Sequence, residues 1–377
     1  MSDLAKHTRT RAGLPRFRAR LAAGAPIAAA FLGGSITEGA GASDPDATSW
    51  RALISAFLRE SCAPAAFVSV NAGVGGTDST FGAYRLQEHV LDQGPIDLLF
   101  VEFAVNDGGD RRTTIRGMEG IVRQCRARSP GTELVFVYTA DDDNLAGEAP
   151  VHISLHEEVA DHYGIPSIHV AEAVRDRILA GSSGWASLAP DRVHPNDAGY
   201  ALYAECIREG LAAMLEAATE GGAAEGVDKS LRMPPLDADS LDRVWMRGVG
   251  SAAGIRGFDR RATAPEPMIN WRYDPGHLVS SNAEGAELVW HASGKTAGLL
   301  LFAGPDTGML AYAVNGSDYT VLNPFDDWCL NFYRPVIATI ALPDGPGPAR
   351  VAVRPSRKRD ERSLGHALRI VRLLGSD

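Results

Sequence analysis

Between residues 27 and 170, short apolar runs alternate with longer stretches in which apolar residues recur every three or four positions. The short runs are Ile27–Leu32, Phe67–Val70, Asp97–Phe103, Glu133–Thr139 and Ile165–Val170. Several are continuous rather than alternating, the pattern of strands covered on both faces. In one intervening stretch Trp50, Leu53, Ile54, Phe57 and Leu58 form a single helical stripe. Ile115, Met118, Ile121, Val122 and Cys125 form another. Strand–helix alternation of this kind predicts an α/β fold with a doubly wound parallel sheet.

The texture then changes. Glu216–Asp237, "EAATEGGAAEGVDKSLRMPPLD", is rich in small and polar residues and ends near Pro-Pro, so it reads as a linker. Beyond it, "AELVWHA", "GLLLFAG", "MLAYAVNGSDYTVL", "PVIATIAL", "ARVAVRP" and "ALRIVRLLG" are strand-like and punctuated by Gly, Pro and Asp. Asn315-Gly316 between two such runs is a hairpin signal. The prediction is two domains, residues 1–215 and 238–377, the second an all-β, jelly-roll-like sandwich. A length of 377 residues suits two domains.

Composition narrows the partners. The net charge is −10 and basic residues are interspersed with acids, so neither nucleic acid nor a membrane surface is expected. The four cysteines, Cys62, Cys125, Cys206 and Cys329, form no CxxC pair and are expected as free thiols in a reducing compartment. The basic N-terminal stretch has no apolar h-region and no run spans a membrane, so the expected location is cytoplasmic. Composition leaves room for a homo-oligomer.

In open parallel sheets, ligands bind beyond the carboxyl ends of the strands. Sorted by that rule, the polar residues fall into four blocks. Gly33-Gly34-Ser35-Ile36-Thr37 follows the first strand, Asn71 to Ser79 ("NAGVGGTDS") the second, and Phe103 to Gly109 ("FAVNDGG") the third; Asp191 to Tyr200 ("DRVHPNDAGY") follows the last. These residue types suit acyl transfer. A serine hydroxyl such as that of Ser35 needs a base, which His194 can supply, and the other imidazole nitrogen needs a carboxylate, which Asp191 offers three residues away. A tetrahedral oxyanion needs fixed donors. The Ser35 amide, an amide from Gly73, Gly75 or Gly76, and the Asn106 side chain are the candidates.

The four blocks resemble those of the SGNH hydrolases, or GDSL-type esterases, over about residues 25–215. The resemblance implies a flavodoxin-like fold with Ser35 as nucleophile, His194 as base and Asp191 as its orienter. It implies an oxyanion hole of Ser35, Gly76 and Asn106, and no metal or cofactor. Two positions depart from the pattern: Gly34 replaces the usual aspartate and Ala104 the usual glycine. The resemblance, with an added β-sandwich, implies a small-acyl esterase acting on O-acetylated carbohydrates. The alternatives are a lipase, arylesterase or thioesterase of broader acyl range, and a non-catalytic carbohydrate-binding protein.

Other features have simpler readings. Glu102 interrupts an apolar run and is expected to brace nearby loops, and Asp107 to be structural. His152, His156, His162 and His169 lack a zinc pattern and read as a solvated face. GxxxxGK[ST] and GxGxxG are absent, which speaks against nucleotide binding. Trp245, Trp271, Trp290 and Trp328 lie in the second domain, where core packing is the ordinary role and sugar stacking the alternative. Trp185 either walls an acyl pocket or packs the loop before Asp191.

Overall fold

A computed structural model describes residues 5–108, 110–146, 150–182, 184–218, 232–261, 265–268, 278–345 and 347–376. The chain divides into two compact units, Met1–Asp242 and Arg243–Asp377.

The first unit is built on a six-stranded sheet: β1 (Thr8–Arg9), β2 (Ile27–Gly33), β3 (Phe67–Gly73), β4 (Leu98–Glu102), β5 (Glu133–Val137) and β6 (Ser167–Ile168). The spatial order is β1-β6-β5-β4-β2-β3, parallel except for β1, which pairs antiparallel with β6. Thr8–Arg9 is too short to leave a pattern in the sequence and was not expected as a strand. The helices are α1 (Pro15–Ala22), α2 (Ser35–Glu38), α3 (Trp50–Cys62), α4 (Ser79–His89), α5 (Arg111–Arg128), α6 (Asp142–Leu145), α7 (Val151–Tyr163), α8 (Val170–Leu179), α9 (Trp185–Leu188) and α10 (Asp197–Ala217). Both predicted stripes face inward: Trp50, Ile54 and Leu58 of α3 are buried, as are all five apolar residues of the α5 stripe. Phe31 of β2 stacks on Phe100 of β4 with centroids 4.9 Å apart, and Trp50 meets Phe31 edge-on at 5.4 Å.

Register decides where the loops emerge. Gly33 pairs with both Gly73 and Glu102, so β2, β3 and β4 end level. The chain reverses its direction of winding at β2, which has β3 on one side and β4 on the other. That is the crevice where doubly wound folds take ligands.

Of the predicted linker, residues 219–231 lie outside the described residues. Residues 234–242 pack along α5 in the first unit. Glu119 accepts the amides of Leu236 and Asp237 at 2.6 and 3.1 Å, Arg116 reaches Asp237 and Asp239, and Gln124 donates to the Leu241 carbonyl at 2.8 Å. Among the described residues no helix is long and apolar enough to cross a membrane.

The second unit is all-antiparallel. Its strands are β7 (Val244–Gly248), β8 (Gly254–Arg256), β9 (Asp259–Arg261), β10 (Leu278–Ser281), β11 (Glu287–Ala303), β12 (Gly308–Val314), β13 (Thr320–Leu322), β14 (Arg334–Ala341), β15 (Ala349–Arg359) and β16 (Leu368–Ser376). Strand β11 serves two layers. Its first half pairs with β8 and β15, and its second half with β14 and β16. The change falls at an irregularity between Ser293 and Ala297, where Gly294 takes φ +74°. Leu288, Trp290, Leu299, Leu301, Val351 and Ile370 join one buried core. Trp290 is therefore a core residue and Trp245 packs partly against the same cluster. Trp328 is 53% exposed, and Trp271 lies outside the described residues.

Helices α4 and α5 meet closely at Gly117, where a Cβ would stand 2.8 Å from the carbonyl carbon of Ser79 and 2.9 Å from the Thr80 amide nitrogen. Gly117→Ala should overpack this crossing and lower the urea-unfolding midpoint by the equivalent of about 1–3 kcal/mol. Gly131→Ala, with nothing within 4 Å of the new methyl, should stay within about 0.5 kcal/mol of wild type.

Candidate active site

At the end of β2 the chain has no room for side chains. A Cβ on Gly33 would lie 2.6 Å from the Glu102 carbonyl oxygen, and one on Gly34 only 2.0 Å from Asn106 Oδ1. Gly34 thus admits the Asn106 carboxamide beside Ser35, which opens α2. As the first residue of that helix, Ser35 presents an amide that has no intrahelical acceptor.

The predicted residues Ser35, His194 and Asp191 are in contact. His194 Nε2 lies 2.8 Å from Ser35 Oγ, and Nδ1 lies 2.7 Å from Asp191 Oδ2. With Nδ1–H donating to the carboxylate, Nε2 is the acceptor for the serine hydroxyl. The other Asp191 oxygen accepts the amides of His194 and Val193 at 2.7 and 3.0 Å. Partial burial raises the carboxyl pKa, but the bonds from the His194 amide and ring and the Val193 amide outweigh it and hold Asp191 below the usual range.

The turn carrying this pair is held from several sides. Arg192 takes φ +71°, its carbonyl accepts Trp185 Nε1 at 3.1 Å, and its guanidinium meets Asp142 at 2.7 Å. Trp185 is buried and packs this loop. Asn196 caps α10 by accepting the Gly199 amide, and Gly41 brings the loop after α2 to within contact of Pro195 and His194.

Asn106 sits in the turn after β4, where its own amide and that of Asp107 both donate to the Phe103 carbonyl. Asp107 is buried, accepts the Ser79 amide at 2.9 Å and contacts His156 Nε2 at 2.7 Å. Of the three glycines after β3, Gly73 donates its amide to Asn71 Oδ1 and Gly75 to Glu38 Oε2. Gly76 takes φ +68°, two residues before the α4 cap Asp78.

Buried polar groups tie the level strand ends together. Glu102 accepts Thr37 Oγ1 and Thr139 Oγ1, each at 2.8 Å, joining three loops. Complete burial raises its pKa despite those hydroxyls. Arg85 of α4, fully buried, donates to the carbonyls of Gly33 at 2.8 Å and Ala72. Tyr200 Oη donates to the carbonyls of Ile36 and Ala40. Sequence reasoning missed Arg85, Glu38, Tyr200 and Asp142. Arg85 alone left a signal, as a cation inside an apolar helical stretch.

The histidine stretch is not a solvated face. His156 is 1% exposed on Asp107, and buried His169 lies 3.6 Å from Glu157 and 3.2 Å from Glu172. Burial lowers the His169 pKa, but the two carboxylates prevail and raise it. The carboxylates supply what exposure would have given. Among the described residues no His, Cys, Asp and Glu group is arranged to hold a metal ion.

A flavodoxin-like domain with a serine–histidine–aspartate relay at its carboxyl edge has the architecture of an SGNH-type hydrolase. Residues 31–202 match the model of the GDSL-like lipase/acylhydrolase family. No curated protein matches the chain. The whole fold is similar to that of a two-domain esterase active on acetylated mannans. Its crystal structure with mannopentaose has TM-score 0.79 and 22% identity, over 99% of this chain and 98% of that one. A second structure of that esterase has TM-score 0.78 and 21% identity over the same shares. At such identity the likeness is one of fold.

Because the folded Asp191 pKa is depressed, its bonds contribute stability above about pH 4, the ordinary aspartate value, and lose it as the pH falls through the lower folded value. The Tm gap between wild type and Asp191→Asn should hold steady from about pH 7 to 5 and shrink below about pH 4. A gap unchanged down to about pH 2 contradicts this assignment.

Proposed function

We propose that the protein is a serine esterase that removes small acyl groups, foremost acetyl, from O-acetylated carbohydrates. The observation that carries the reading is the relay from Asp191 through His194 to Ser35, with contacts of 2.7 and 2.8 Å. Ser35 Oγ attacks the ester carbonyl as its proton passes to His194 Nε2, and Asp191 steadies the imidazolium. The carbonyl oxygen becomes an oxyanion received by the Ser35 and Gly76 amides and Asn106 Nδ2. His194 returns the proton to the departing alcohol as the C–O bond breaks. Water then attacks the acyl-enzyme, losing a proton to the same nitrogen, and the acid leaves as Ser35 recovers its hydrogen.

The acetyl and carbohydrate parts of the proposal are supported by the whole-length similarity to an esterase active on acetylated mannans. The four buried, unpaired cysteines fit a reducing compartment, and the proposal places the protein in the cytoplasm. No step requires a metal or cofactor.

Ser35→Ala should lower turnover of nitrophenyl acetate by ~10⁴-fold or more. Asn106→Ala should lower kcat about 10²–10³-fold with the thermal midpoint little changed. Normal turnover in the Asn106 variant removes that residue from the oxyanion hole. Nitrophenyl esters from acetate to octanoate, followed by acetylated manno- and xylo-oligosaccharides, test the substrate. A preference for acetate agrees with the proposal, and a preference for octanoate replaces it with a lipase-like activity.

A further inference from the structure

The second unit contains a cleft of about 930 Å³, lined by β12, β13 and β15 and the turn at residues 282–285. This is in the upper range of ligand clefts, about 300–1,000 Å³. In a chain of net charge −10 its charged lining is cationic, with Arg354, Arg357 and Lys358 facing one acid, Glu284. Arg357 is paired with Glu284. Arg354 and Lys358 form no side-chain ion pair or hydrogen bond among the described residues.

Arg354 is nevertheless held. Its guanidinium carbon lies 3.7 Å from the centre of the Tyr319 ring. Tyr319 is fixed in turn, since its hydroxyl donates to Glu287 Oε1 at 2.8 Å, and Arg350 reaches the other Glu287 oxygen at 3.5 Å. Stacking covers the face of a guanidinium and leaves its N–H edge, the fork that takes a carboxylate in two parallel bonds. Lys358 adds a second positive charge to the same lining. Asn282 and Ser356 add neutral donors and acceptors suited to hydroxyl groups. A nucleic-acid strand would need free aromatic platforms, and of the two rings in the lining, Tyr319 and His366, the tyrosine already carries Arg354 on one face.

From these observations we infer that the cleft is a binding site for a carboxylated oligosaccharide, its acid group on Arg354 and Lys358 and its hydroxyls on the neutral polar lining. This goes beyond the esterase reading and does not depend on it.

Titration calorimetry of the full chain with tetragalacturonate tests the inference, with its carboxyl-reduced neutral counterpart as comparison. The acidic tetrasaccharide should bind at least ~10-fold more tightly than the neutral one, the worth of a charge-assisted hydrogen bond. Arg354→Ala and Lys358→Ala should each weaken it about 5–10-fold while nitrophenyl acetate turnover stays at the wild-type level. Both side chains are exposed, so folding should survive, and the thermal midpoint checks it. No binding at millimolar concentration, equal affinity for the neutral chain, or undiminished affinity in both variants overturns the inference. So does displacement of the saccharide by inorganic phosphate or a short DNA oligonucleotide at comparable concentration. Loss of esterase activity would instead bear on the first unit alone.

Discussion

The contact between Ser35 Oγ and His194 Nε2 joins positions 159 residues apart and depends on almost everything else in the first unit. A hydroxyl and an imidazole can share a proton only within a few tenths of an ångström of hydrogen-bond distance. Both ends must therefore be fixed independently. The serine end is fixed by strands that finish level, by glycines that let backbone and carboxamide approach, and by Tyr200 donating beneath α2. The histidine end is fixed by a turn with Arg192 at positive φ, supported by Trp185 from below and by the Asn196 cap beyond.

Buried polar groups do much of this fixing. An unpartnered buried carboxylate would be costly. Glu102, Glu38 and Asp107 instead each accept a bond from a neighbouring loop. Arg85 performs the complementary task by satisfying two strand-end carbonyls from inside the core. Hydrophobic packing brings the loops to one edge, and these directional bonds set their orientation. Asp191 differs from them. It is mostly exposed, and it stays anionic because three N–H groups converge on it.

The strand–helix alternation was readable because buried strands and amphipathic helices leave runs and stripes of different period. The antiparallel β1 was not, since two residues carry no period, and β6 occupies only Ser167–Ile168 of the predicted run Ile165–Val170. Four blocks in order placed Ser35, Asn106, Asp191 and His194 at predicted strand ends or in the last loop. The supports around them left little trace. Arg85, Tyr200 and Asp142 act through positions brought close only by folding, and His156 looked like a surface residue until Asp107 met it in the interior. Gly34, a departure from the family pattern, is explained by the carboxamide of Asn106 standing where a side chain would be.

The central claim is that Ser35 Oγ is the attacking atom, with its oxyanion donors in place. The most direct measurement is a crystal structure of the protein after reaction with a fluorophosphonate. The account predicts one adduct, bonded to Ser35 Oγ, with the phosphoryl oxygen facing the Ser35 amide and Asn106 Nδ2. An unmodified Ser35, an adduct on another side chain, or a phosphoryl oxygen turned toward solvent would contradict it.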